Sequence, residues 1–73
     1  MNDEQVPDEA ELVLHARLKA LRQEHADLDA SIDALGLMPI PDQLMIARLK
    51  RKKLVLRDEI VKIERILLPD IIA

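Results

Sequence analysis

The sequence predicts an all-α fold, an antiparallel helical hairpin (a two-helix coiled coil) that dimerises into a four-helix bundle. Three observations carry this. Apolar residues recur at heptad spacing along two long stretches. The single glycine and two of the four prolines interrupt that pattern once, between the stretches. The two stretches also carry opposite net charge, so they attract when folded back on each other.

Helix one is expected over about 7–35. Pro7 suits the first helical position, where its missing amide hydrogen is no loss, and Asp8 and Glu9 place acids in the first turn beside the positive end of the helix dipole. Leu14, Leu18, Leu21, His25, Leu28, Ile32 and Leu35 then recur at alternating spacings of four and three. Gly36 is the expected left-handed residue just past the helix end. Pro39 and Pro41 lie in the link, 36–41, and cannot continue the helix. Helix two, about 42–68, is opened by Pro41 with Asp42 in its first turn. Its seam is Ile46, Leu49, Lys53, Leu56, Ile60, Ile63 and Leu67, and Pro69 stops it. A short apolar tail, 69–73, completes a single domain over residues 1–73. A strand would alternate every second residue, and no such run appears.

A link this short joins antiparallel neighbours. Residues 1–36 carry nine acids and three bases, residues 37–73 five acids and eight bases. Folding at the link sets positions whose numbers sum to roughly 80 side by side. Glu24, Asp27, Asp29 and Asp33 then face Arg48, Lys50, Arg51, Lys52 and Lys53, while Arg17, Lys19 and Arg22 face Asp58, Glu59 and Glu64. Each exposed pair contributes only ~0.2–1 kcal/mol, so the pattern selects the register more than it stabilises the fold. Helix two carries a further apolar row at strict sevens, Ala47, Leu54, Val61 and Leu68, widened by Val55 and Ile66. One partner helix cannot cover both this row and the seam, which is the reason to expect a homodimer.

Composition removes several classes of function. There is no Cys, hence no thiolate zinc site, disulfide or redox pair. There is no Phe, Trp or Tyr to stack bases and only one Gly, too few for a phosphate-cradling loop. Ser31 is the sole hydroxyl side chain, and a helix interior offers it neither a base nor oxyanion donors. Carboxylate pairs fall on exposed helix faces without a pocket. The chain is therefore read as no enzyme, with no cofactor, metal or small-molecule substrate. The acidic N-terminus lacks the basic and apolar regions of a signal peptide, no stretch is apolar enough to span a membrane, and the net charge of −3 argues against general nucleic-acid affinity. The expectation is a cytoplasmic protein without a membrane partner.

The run from Leu21 to Ile32 (with His25, Leu28 and Asp29 inside it) and the run from Leu49 to Ile60 together resemble the YdcH-like family of small bacterial proteins of unknown function. His25, Leu28, Asp29 and Ile32 match the first half of its pattern. Leu49, Lys50, Lys53, Leu54, Leu56, Asp58, Glu59 and Ile60 match the second, with Arg57 in place of a lysine. The resemblance covers roughly residues 14–63. It implies a bacterial cytosolic helical hairpin with no established biochemical role, and the tail from Ile66 to Ala73 inherits nothing from it.

Three groups of residues stand out as candidate sites. His25, Asp29 and Lys53 form a polar interruption of the seam. His25 is read as a register-setting or pH-sensing residue bonded to a carboxylate such as Asp29 one turn on, because imidazole titrates near neutrality. Lys53 lays its stem along apolar surface and reaches water or Asp27, with Leu54 sharing the inward role if the helix phase shifts. His15 and His25 are too far apart along one helix to share an ion. Ala47, Leu54, Val61, Leu68, Ile71 and Ile72 form an oligomer or partner surface. The basic patch of Arg48, Lys50, Arg51, Lys52 and Arg57 is read mainly as a solvated face neutralised by helix one. The resulting functional reading is a small, non-catalytic protein-interaction or adaptor protein. The alternatives are a weak nucleic-acid-associated protein using the basic run, or a structural subunit of a larger complex.

Overall fold

A computed structural model describes residues 8–68. Two helices, α1 (Glu9–Gly36) and α2 (Gln43–Leu67), pack along each other as a helical hairpin, and no strand occurs among the described residues. At ~1.5 Å per residue α1 is about 42 Å long.

Each helix starts on an aspartate. Asp8 has extended backbone, and its carboxylate accepts the Glu11 amide at 2.8 Å; Asp42 does the same for Met45 at 3.0 Å. Both were expected inside the first turn. They sit one position earlier because a short carboxylate satisfies an otherwise unpartnered first-turn amide best from the cap. Glu9 and Glu11 follow in the first turn of α1, and Arg65 lies in the last turn of α2, each favoured by the helix dipole.

The far end of α1 differs from expectation. Gly36 is the last helical residue, and neither it nor any other described residue has positive φ. The helix closes by tightened bonds instead. The Leu37 amide donates to the Asp33 and Ala34 carbonyls at 3.2 Å, and Met38 donates to Leu35 at 3.3 Å. Leu37 stays right-handed, and the chain leaves the helix through Pro39.

All fourteen seam positions are buried or half-buried. The core cluster is Leu18, Leu21, Leu56 and Ile63, with Leu14, Leu28, Ile60 and Leu67 packed against it, and Leu21 is fully buried. Two ion pairs fix the register: Arg17 Nη2 to Glu59 Oε2 at 2.9 Å and Arg22 Nη2 to Glu64 Oε2 at 2.7 Å. Their residue numbers sum to 76 and 86, so they straddle a register of 81, in which Leu14 lies opposite Leu67 and Leu35 opposite Ile46. In heptad terms Arg17 and Glu59 are both g positions, and Arg22 and Glu64 are both e positions. Antiparallel packing sets like flanks together in this way.

Pro69 and the tail residues Ile71 and Ile72 lie outside the described residues, as does Pro7.

Candidate functional site: a polar step in the seam

In this register His25 lies opposite Leu56, and Lys53 opposite Leu28, so the two polar seam residues occupy adjacent layers. Asp29 joins them from the flank. Lys53 Nζ donates to Asp29 Oδ1, and His25 Nδ1 lies 3.8 Å from Asp29 Oδ2, one helical turn away. The three residues singled out from the sequence therefore meet around one carboxylate. At 3.8 Å the His25–Asp29 contact is an ion pair only while the imidazole is protonated; with neutral imidazole it is longer than a hydrogen bond. The hydrogen bond from Lys53 holds the Asp29 carboxyl below the usual carboxylate range; partial desolvation opposes this, and the charges of Lys53 and His25 add to it.

Lys53 selects Asp29 where Asp27 was expected. Asp29 is at an e position, beside the seam, whereas Asp27 is at a c position on the outer face and accepts from Gln23 Nε2 at 2.9 Å. Leu54 takes no inward share. It is 54% exposed, while Lys53 keeps the seam with its stem half-buried.

The surplus row on α2 is partly open. Ala47 and Val61 are half-buried and Leu54 and Leu68 exposed; Val55 and Ile66 are each 64% exposed, but Ile66 is at a g position on the opposite flank of α2 and does not widen the row. A shallow groove lined by Arg57, Asp58, Val61, Lys62 and Arg65 runs along this side of α2. A second lies on α1 between His15, Lys19, Arg22 and Gln23, over Leu18. Both are open to solvent and neither gathers an acid, a base and a nucleophile.

The basic patch is less neutralised than its opposing acids suggested. Of the six cations from Arg48 to Arg57, Lys53 alone has an ion-pair partner among the described residues. Arg48, Lys50, Arg51, Lys52 and Arg57 are exposed. Asp27 and Asp33 lie on the outer face of α1, away from the seam; Asp29 and Glu24 flank it at e and g positions, and of these Asp29 alone forms an ion pair among the described residues.

The bend is apolar and open to solvent, which heptad spacing does not signal. Leu37, Ile40 and Leu44 are 86%, 89% and 73% exposed, with Met38 and Met45 beside them. The available signal was the absence of any charge between Asp33 and Asp42, together with two apolar residues, Leu44 and Met45, ahead of the α2 seam.

Among the described residues no helix is long and apolar enough to cross a membrane, and no group of three or more His, Asp or Glu side chains could hold a metal ion. Neither a search of curated proteins nor one of solved structures yields a match. A family profile described as "Protein of unknown function (DUF465)" matches residues 18–64. This stretch runs from the first core leucine to the glutamate that pairs with Arg22, so it takes in the whole polar step, both inter-helix Arg–Glu partners on α2 and the bend. The chain belongs to this family of proteins of unknown function, DUF465.

Proposed function

We propose that this protein is a small, non-catalytic protein-interaction module of the bacterial cytoplasm, a stiff hairpin that pairs with a second copy and presents the resulting bundle to a partner. The observation that carries this reading is the uncovered apolar row of α2 at heptad spacing, with Leu54 and Leu68 exposed. Such a row at heptad spacing is the surface a second hairpin covers in a four-helix bundle. His25, Asp29 and Lys53 act in this reading as a register-setting step, since polar residues at seam positions favour one alignment over its slipped alternatives. The YdcH-like pattern and the matched family fall on the same stretch and share an uncharacterised role, which supports their being one lineage.

Light scattering on a size-exclusion column tests the self-association. The expected mass is twice the 8.3 kDa of the chain, and Leu54→Lys is expected to return it to that of one chain while helicity persists. A wild type that stays monomeric at high concentration overturns the reading. Partners are then sought by affinity purification of a tagged copy at native level.

A second reading, weak association with nucleic acid, is favoured by the five cations of the Arg48–Arg57 run that have no ion-pair partner among the described residues. Fluorescence anisotropy at low salt separates the two, because a phosphate-binding face gives a strongly salt-dependent titration that Leu54→Lys does not weaken.

A further inference from the structure

The bend carries a feature that self-association leaves unused. Leu37, Met38, Ile40 and Leu44 form an apolar end to the rod, the first, third and fourth of them more than 70% exposed. Four of its backbone positions offer no free donor. Pro39 and Pro41 have no amide hydrogen, and the amides of Leu37 and Met38 are bonded back into α1. Ile40 and Asp42 are the link residues whose amides lack a protein partner among the described residues.

Just behind this end lies a collar of charge. Residues 43–57 contain six cations and no acid. Arg48, Lys50, Arg51 and Lys52 fall within about 6 Å along the axis, yet at 100° per residue they point around more than half the circumference of α2. At the same height α1 offers Asp33 as its unpaired acid, Asp29 being taken by Lys53. The collar stands about 10 Å behind the start of α2, which matches the ~5–10 Å to which an amphipathic element settles into a bilayer interface. We propose that the bend of the hairpin is a membrane-surface anchor: the apolar end enters the interface of an anionic bilayer and the collar rests on its headgroups. A protein partner would meet cations on one side of the helix, whereas headgroups surround an inserted tip and meet them on several. The acids of α1 do not prevent this. At the collar's height the exposed, unpaired charge they present is Asp33, against four exposed cations. Asp42 enters with the tip, and its hydrogen bond from the Met45 amide at 3.0 Å offsets part of the cost of desolvating its carboxylate. No spanning segment is required, so the anchor is compatible with the absence of one among the described residues.

Flotation of the full chain with vesicles tests the proposal, using phosphatidylcholine alone and phosphatidylcholine with about one-third phosphatidylserine. Binding to the anionic vesicles only, weakened by added salt, is expected. Leu37→Ser with Ile40→Ser is expected to reduce partitioning at least tenfold. Arg48→Gln with Arg51→Gln is expected to reduce it roughly 30-fold. These side chains are exposed, and helicity by circular dichroism checks that each variant folds. The chain has no Trp or Tyr, so Leu37→Trp is a clean reporter whose emission shifts to the blue on insertion. Lack of binding, binding indifferent to the serine substitutions, or an unshifted Trp emission with bound vesicles overturns the proposal. Loss of dimer mass in the serine variant also overturns it, because the tip would then be a contact between copies. The dimer measurement on Leu54→Lys is separate, so either idea can fail alone.

Discussion

The two halves of the hairpin are built on different chemistry. Toward the open end the seam is wholly apolar, Leu18, Leu21 and Ile63 are buried, and an Arg–Glu pair brackets each flank. Toward the bend the seam is broken by His25 and Lys53, Leu28, Ile32, Leu35 and Leu49 are half-buried while Ile46 and Leu56 on α2 stay buried, and the inter-helix ion pair runs through the seam itself to Asp29. The difference separates two tasks that coiled coils share out by position. Apolar layers hold helices together with little preference among registers one heptad apart, and polar layers choose among those registers at some loss of stability. We propose that the open end supplies most of the adhesion and that the polar step of the bend half adds to the alignment already marked by the two Arg–Glu pairs.

The largest expected effect follows from the first task. Leu21→Ala removes the one side chain that is fully buried among the described residues and is expected to cost ~2–5 kcal/mol, enough to unfold a lone hairpin at room temperature. Ile32→Ala, at a half-buried layer of the other half, should cost less than half as much. Denaturant titration followed by circular dichroism compares them. Equal losses would mean that adhesion is spread evenly and that the contrast between halves is false.

Replacing polar with apolar at the step probes the second task. Lys53→Leu extends the apolar seam, and Asp29, half exposed, is left to water at little penalty. Stability should rise by ~1 kcal/mol, and register should loosen. Spin labels on the two helices report the loosening as a broadened distance distribution. A stabilised variant with an unbroadened distribution would show that the Arg–Glu flanks alone set the alignment.

How much of this could be read from the chain depends on which neighbours a residue needs. The seam was legible because heptad spacing is a property of one helix, and all fourteen positions lie inward or half-inward. The register was legible because charge along each helix changes sign in a way that only one antiparallel alignment satisfies, and Arg17 with Glu59 and Arg22 with Glu64 fall where that alignment puts them. The choice of Asp29 over Asp27 required the angular position of each residue around α1. The backbone of Gly36 was misjudged because a helix can end on right-handed glycine when its next two amides fold back, as those of Leu37 and Met38 do. The exposed bend was missed because apolar residues without a periodic partner carry no pattern.

That glycine gives a smaller test, located between the halves. A Cβ at position 36 would meet nothing within 4 Å, and its φ is one that alanine adopts. Gly36→Ala should therefore stabilise the hairpin by about 0.5 kcal/mol, through the unfolded chain. A loss of stability in thermal melts would restore the left-handed ending.

The smallest effect sharpens the contrast by pH. The hydrogen bond from Lys53 holds the Asp29 carboxyl below its ordinary range, so the folded state keeps its charge more tightly than the unfolded chain does. The stability this provides is fully present above the unfolded value of about 3.9. It is lost as pH falls through the lowered folded value, when the carboxyl protonates and Lys53 loses its anionic partner. Asp29→Asn keeps the shape and removes the titration, so its melting temperature should fall less than that of the wild type between about pH 5 and pH 2. Arg22→Gln, which breaks a pair at the open end with both side chains more than a third exposed, should lower stability by ~0.2–1 kcal/mol and leave this acid-limb contribution of Asp29 in place. The two variants then differ in kind as well as in size. If Asp29→Asn tracked the wild type through the acid range, the bond to Lys53 would have no energetic consequence, and the step in the seam would act through shape alone.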